Sequence, residues 1–227
     1  MNTYTSRVGI LLRRVLRRMG LSMRLASLLY GRGYEQKYQD RLLSCLRSGD
    51  VVWDVGANEG HYTVEFARRV GDEGLVVAFE PNPNILPKLH EKVQPFKQVR
   101  VEPFALGDCS KTVLFSVSSD PRGLYSHIDE TAGSVKVPIK SGDELIERLN
   151  LPVPNVVKID VEGYETEVIK GMTRLLDHAA LRVVAIEIHF RLLDERGLSP
   201  QHVLDALRQH HFVIHWTDPS HVIATRR

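Results

Sequence analysis

Short runs of consecutive apolar residues alternate along this chain with segments whose apolar positions recur every three or four residues. Val51-Val52-Trp53, Leu75 to Phe79, Val99 to Val101, Val156 to Ile159 and Val183 to Ile188 have strand length and strand composition. Between them, Tyr62 to Val70, Asn84 to Val93, Gly142 to Leu149, Glu165 to Leu176 and Pro200 to His210 have helical spacing. A helix ahead of the first strand is predicted from Tyr38, Leu42, Cys45 and Leu46, with Ser48-Gly49-Asp50 as its end. Val113 to Val117 and Val135 to Ile139 read as an inserted pair of strands, separated by a polar loop with Pro121 and Gly123. Phe212 to Trp216 and Val222 to Thr225, joined through Asp218-Pro219-Ser220, read as an antiparallel hairpin. Strands alternating with helices predict an α/β fold with a mostly parallel sheet covered on both faces, and place ligand chemistry at the carboxyl ends of its strands.

The chain ends and the charge add an appendage to this picture. No acidic residue precedes Glu35, whereas Arg7, Arg13, Arg14, Arg17, Arg18, Arg24 and Arg32 all do. On a helical projection Leu11, Leu12, Val15, Leu16 and Met19 fill one side and the arginines the other. Residues 1–33 are therefore expected to be a basic amphipathic helical segment, and 34–227 one globular domain without an internal linker. Three roles stay open for the helix: peripheral contact with an anionic membrane through residues 7–24, packing on the domain, or a targeting segment. The 227 residues are 43% hydrophobic and 26% charged with a net charge of +2, which argues against a nucleic-acid partner. Only Cys45 and Cys109 are present, and neither a spanning apolar run nor a secretory signal pattern is found. The expected location is cytoplasmic, soluble or membrane-peripheral.

The first strand runs into Asp54-Val55-Gly56-Ala57-Asn58-Glu59-Gly60. Gly56 and Gly60 permit a sharp turn and close approach of a ligand, and Asn58 tolerates left-handed backbone. Glu80 ends the second strand, twenty residues after Gly60, where a carboxylate can accept hydrogen bonds from ribose hydroxyls. The dinucleotide pattern G-x-G-x-x-G is broken by Asn58. Asp54 beside the loop would repel a pyrophosphate but suits the cationic amino acid and sulfonium of S-adenosyl-L-methionine. A methyl donor is favoured over NAD.

Together with Phe79-Glu80-Pro81, Ala105-Leu106-Gly107-Asp108 and Lys158-Ile159-Asp160-Val161-Glu162-Gly163-Tyr164-Glu165, this loop resembles the FkbM family of methyltransferases over roughly Asp50 to His189. The resemblance implies a Rossmann-like class I methyltransferase fold. It implies that the loop, with Gly56, Ala57, Asn58 and Gly60, holds S-adenosylmethionine, that Glu80 holds its ribose, and that Ala105, Leu106 and Asp108 flank the adenine. It further implies O-methylation of a small hydroxylated acceptor, since members act on polyketide hydroxyls and on sugars. The acceptor and the oligomeric state do not follow from it.

Methyl transfer to an aliphatic hydroxyl needs alignment of the nucleophile and help from a base or a metal ion. By period two, Lys158 and Asp160 share one side of their strand and Glu187 and His189 one side of theirs. If the strands are neighbours, these four groups form one cluster, because unpaired buried charges are costly. The expected catalytic set is Asp160, Lys158, Glu187 and His189, with Asp160 as general base. Alternatively Asp160, Glu187 and His189 ligate a divalent metal such as Mg2+, with Glu162 a further ligand. A purely structural alternative is an ion pair between Lys158 and Glu187. Glu165 fits the first turn of its helix by dipole compensation. His61 and Tyr62 are placed to touch a ligand or to pack, and Ser118 to Gly133, with Arg122, Tyr125, His127 and Asp129, to form a substrate lid or a plain surface loop. Two other classes are kept beside the methyltransferase: an NAD-dependent oxidoreductase on the same fold, and a non-catalytic membrane-associated nucleotide-binding module.

Overall fold

A computed structural model describes residues 34–117, 127–128 and 133–226. The basic segment 1–33, with its proposed membrane contact, and most of the Ser118 to Gly133 loop lie outside the described residues. Among the described residues no helix is long and apolar enough to cross a membrane.

The expected alternation is present. Helix α1 (Tyr34–Ser44) leads to β1 (Val51–Val55), α2 (His61–Val70), β2 (Leu75–Phe79), α3 (Leu86–Val93) and β3 (Val99–Glu102). After an insertion come α4 (Gly142–Leu149), β8 (Val156–Ile159), α5 (Glu165–Lys170), α6 (Thr173–Asp177) and β9 (Val183–Glu187). The chain finishes with α7 (Phe190–Glu195), α8 (Pro200–Gln209), β10 (Phe212–Trp216) and β11 (His221–Arg226). The main sheet has the order β10-β11-β9-β8-β1-β2-β3. Its strands β3, β2, β1, β8 and β9 run parallel, and β11 is antiparallel to both β9 and β10.

This order follows from where apolar surface must go. In β1, Trp53 and Val55 pack with Phe79, Ile159 and Met172 on one face, while Val52 packs with Phe66, Val70 and Val76 on the other. A strand that is apolar on both faces is stable only in the middle of a covered sheet. The chain winds from β1 outward to β3, then returns to β8 on the opposite side of β1. The crevice at the carboxyl ends of β1 and β8 is thus a topological switch point, the usual ligand position in such sheets.

Three local features differ from or add to the expectations. The inserted pair of strands is present as β5 (Lys111–Ser116) and β7 (Val135–Lys140), and with β4 (Ala105–Leu106) and β6 (His127–Ile128) it forms a second sheet of order β4-β7-β5-β6. Ala105 and Leu106, read as a turn, pair in parallel with Ile139 and Lys140.

Second, the helix expected from Glu165 to Leu176 is broken into α5 and α6 at Gly171. A Cβ there would meet the Gly107 carbonyl at 1.8 Å. The new helix start is capped from a distance, since the Asp143 carboxylate accepts from the N–H groups of Arg174 (3.0 Å) and Leu175 (2.9 Å). Third, the short helix α7 was not foreseen, because six residues give too little periodicity to read.

Candidate active site

The loop after β1 adopts the conformation its residues permit. Gly56, Asn58 and Gly60 have φ of 79°, 49° and 80°. At Gly56 a Cβ would sit 1.8 Å from the Asp160 carbonyl oxygen, so the loop and the end of β8 approach only because a glycine stands there.

Glu80 closes the loop from the neighbouring strand. Its Oε2 accepts from Asn58 N and its Oε1 from Asn82 N, each at 2.8 Å. Burial pushes its carboxyl up to about 7, against the lowering effect of the Asn82 and Asn58 N–H groups. Glu80 lines a cavity of about 240 Å³.

Of the residues expected to hold cofactor, Gly56, Asn58, Glu80, Ala105 and Leu106 line that cavity, together with Asp160, Glu187 and His189 from the reaction end. The other expected residues stand elsewhere. Asp54 is fully buried, accepts from Thr63 Oγ1 at 2.7 Å and has Lys158 Nζ 3.2 Å away, so its charge is answered within the protein. Ala57 packs with Val64, Ala78, Leu89 and Val93, and Gly60 adjoins Leu89. Asp108 is exposed, 3.8 Å from Lys111.

At the reaction end β8 and β9 are neighbours, with Lys158 opposite Ala185 and Ile159 opposite Ile186. The purely structural alternative, an ion pair between Lys158 and Glu187, does not form. The ammonium of Lys158 reaches the other way, to Asp54, to Asp160 at 3.4 Å and to the Gly56 carbonyl at 3.0 Å. Burial opposes that charge, but Asp54 and Asp160 hold its pKa well above the usual lysine range. For Asp160, burial raises the pKa and Lys158, His189 and His221 more than offset it, so the carboxylate is ionised at neutral pH.

His189 closes the far side. Its Nδ1 donates to Glu165 Oε1 at 2.7 Å, while Nε2 is 3.3 Å from Glu162, 3.7 Å from Asp160 and 4.0 Å from Glu187. Burial alone would lower its pKa, but Glu165, then Asp160 and Glu162, raise it to about 10. Glu165 therefore does more than compensate a helix dipole: it is fully buried beneath the histidine. One ligand atom each from Asp160, Glu162 and His189 lie within 4.8 Å of one another, so the compact cluster contains Glu162 where Glu187 was expected.

The sequence reading missed a buried dyad. In β11, His221 pairs across the sheet with Glu187, placing Nε2 3.3 Å from Glu187 and Nδ1 2.8 Å from Asp218. Burial lowers and these two carboxylates raise the His221 pKa, to about 9. The available signal was Asp218 and His221 three residues apart in a turn, read there only as hairpin punctuation.

Comparison with known proteins bears on this arrangement. Residues 54–214 match the family described as the methyltransferase FkbM domain. The chain is 36% identical over 176 residues to the hexuronic acid methyltransferase AglP of Haloferax volcanii, covering 77% of this chain and 68% of that protein. It is 23% identical over 189 residues to the 2-O-methyltransferase NoeI of Sinorhizobium fredii, covering 75% of this chain and 76% of that one. The crystal structure of the methyltransferase FkbM from Methylobacillus flagellatus superposes with a TM-score of 0.55 at 19% identity, over 80% of this chain and 45% of that one. The chain thus spans less than half the length of that protein.

Proposed function

The chain belongs to the FkbM family of methyltransferases, and from that premise we propose that it transfers the methyl group of S-adenosylmethionine to a hydroxyl of a sugar. Both named relatives are methyltransferases, which sets aside the oxidoreductase and the non-catalytic module. AglP acts on a hexuronic acid and NoeI is a 2-O-methyltransferase, which supports a sugar acceptor over a polyketide.

The observation that carries the reading is that Glu80 and Asp160 line one cavity beside the glycine loop. The residues fit the cofactor. Gly56 and Asn58 of the loop line the cavity, and Glu80 retains acceptor capacity for ribose hydroxyls. When bound, S-adenosylmethionine supplies an electrophilic methyl on a sulfonium. Asp160, ionised and at the carboxyl end of β8, accepts the proton of the attacking hydroxyl, and Lys158 holds Asp160 in place. His189, fixed by Glu165, adds positive charge beside the carboxylates.

Calorimetric titration of S-adenosylhomocysteine tests the cofactor half. Glu80→Ala is expected to weaken binding about ten- to hundredfold, the cost of hydrogen bonds to a charged acceptor. Unchanged affinity would remove Glu80 from the ribose.

The raised Glu80 pKa also predicts a pH dependence. A proton on Glu80 takes a lone pair that a ribose hydroxyl would use, so affinity should rise as pH passes through about 7 and level off about one unit higher. Glu80→Gln should flatten that profile, and a wild-type profile already flat from pH 6 to 8 would contradict it. For stability the sign is opposite. The native carboxyl keeps a proton that the unfolded chain releases, so this contribution is present below the ordinary carboxylate range and is lost as pH rises through about 7.

A second reading rests on the Asp160, Glu162 and His189 cluster, which would hold a divalent cation once His189 Nε2 gives up its proton. Loss of turnover on EDTA treatment and recovery with Mg2+ would assign it.

A further inference from the structure

The crevice contains a second cavity, also of about 240 Å³, walled by Tyr38, Gln39, His61, Tyr62, Lys158 and His221. Asp160 and Glu187 line both cavities and therefore stand where the two meet.

Three observations show a built site. Tyr38 is 2% exposed, with its ring 4.1 Å from that of His221 and edge-on to Tyr62 at 6.2 Å. Yet its hydroxyl has no hydrogen-bond partner among the described residues. A buried hydroxyl in that state is costly, and a ligand hydroxyl would satisfy it. Next, Glu187 is held from behind by His221, and His221 by Asp218, whose Oδ1 also accepts from the N–H groups of Ser220 (2.8 Å) and His221 (2.9 Å). That leaves Glu187 oriented and able to accept more. Finally, Tyr38, Gln39 and His221 all lie outside residues 54–214, so elements beyond the family match complete this chamber.

The chemistry of the wall selects a ligand class. The exposed His61 and half-buried Tyr62 offer ring surface to the C–H side of a sugar ring, while carboxylates and an amide take its hydroxyls. The cations Lys158 and His221 are each already paired with carboxylates, so the chamber offers acceptors rather than a free positive charge.

We propose that this chamber is the acceptor subsite: one sugar ring enters with its hydroxyls on Tyr38, Gln39 and Glu187, and presents a hydroxyl past Asp160 to the cofactor cavity. The proposal rests on the sugar O-methylation reading and adds the site and its specificity residues. The hydroxyl oxygen forms a bond to the methyl carbon, the carbon–sulfur bond breaks with its electron pair left on sulfur, and the hydroxyl proton passes to Asp160. Because its cations are paired, the chamber accepts the uncharged part of the ring, and a carboxylate on the sugar would lie at the rim near the exposed His61.

The test uses the full chain with methyl β-D-glucopyranoside and methyl β-D-glucuronopyranoside as probes. Each is titrated into protein saturated with S-adenosylhomocysteine and followed by saturation-transfer NMR, with S-adenosylhomocysteine affinity measured separately. Tyr38→Phe, which keeps the packed ring, and Gln39→Ala are each expected to raise the glycoside dissociation constant about tenfold and leave S-adenosylhomocysteine affinity within about twofold. A parallel loss of S-adenosylhomocysteine affinity would make the chamber part of the cofactor site and overturn the proposal. Glycoside binding indifferent to both variants, or no binding of either glycoside to the loaded wild type, would overturn it as well. In those cases a Glu80→Ala defect in S-adenosylhomocysteine binding would still stand, so failure of this subsite is distinguishable from failure of the cofactor assignment.

Discussion

Asp160→Asn is expected to lower kcat by about two to four orders of magnitude, the range a positioned general base contributes. Affinity for S-adenosylhomocysteine should change little, because asparagine keeps the shape and the Gly56 approach depends on the backbone carbonyl of Asp160, not its side chain. The carboxylate stands where both cavities meet, 3.4 Å from Lys158, and burial alone would have made it harder to ionise. Its ionised state thus depends on the surrounding cations, and replacement by a neutral amide removes the proton acceptor without removing a wall. Single-turnover methyl transfer measured beside cofactor binding separates the two effects. An Asp160→Asn protein retaining wild-type turnover would move the base to Glu187.

Lys158→Met is expected to destabilise the fold by about 3–5 kcal/mol, because it leaves the fully buried Asp54 without its cation. For a domain of this size that corresponds to a fall in Tm of roughly 6–20 °C. The same substitution frees the Gly56 carbonyl and Asp160 from their shared donor, so the loop and the base lose order together. The double variant Asp54→Asn, Lys158→Met should recover a large part of the stability, since it removes the stranded charge as well as its partner. Thermal and denaturant unfolding of the three proteins decide this. A single variant within about 1 kcal/mol of wild type would show that Asp54 is neutralised by another route.

The link between these two results is the Asp54–Lys158–Asp160 row beneath the glycine loop. It ties β1 to β8, the pair of strands between which the chain reverses direction through the sheet. Stability and chemistry therefore share an ion network at the switch point, and His189 with Glu165 and His221 with Asp218 continue it outward. Each buried cation here has at least one carboxylate within about 3.3 Å, which is the condition for keeping charge away from water.

By itself the sequence determined the succession of elements, the parallel sheet and the carboxyl-end crevice. These depend on apolar periodicity and on glycine positions, which are local and repeat along the chain. It also brought Gly56, Asn58, Glu80 and Asp160 to one crevice, because strand ends in a parallel sheet converge whatever their distance in sequence. Partner choice was decided only by the tertiary structure. Two residues on the correct side of neighbouring strands can still turn away from each other, so Lys158 pairs with Asp54 and Asp160, and Glu187 with His221 from the last strand. The break at Gly171 depends on the Gly107 carbonyl and on a cap from Asp143, neither of which is near it in sequence. The Tyr38 chamber depends on a helix before the loop and a strand after every recognisable motif meeting at one wall. Such contacts carry no periodic signal, because they are fixed by the packing of distant elements, and only the folded chain contains that information.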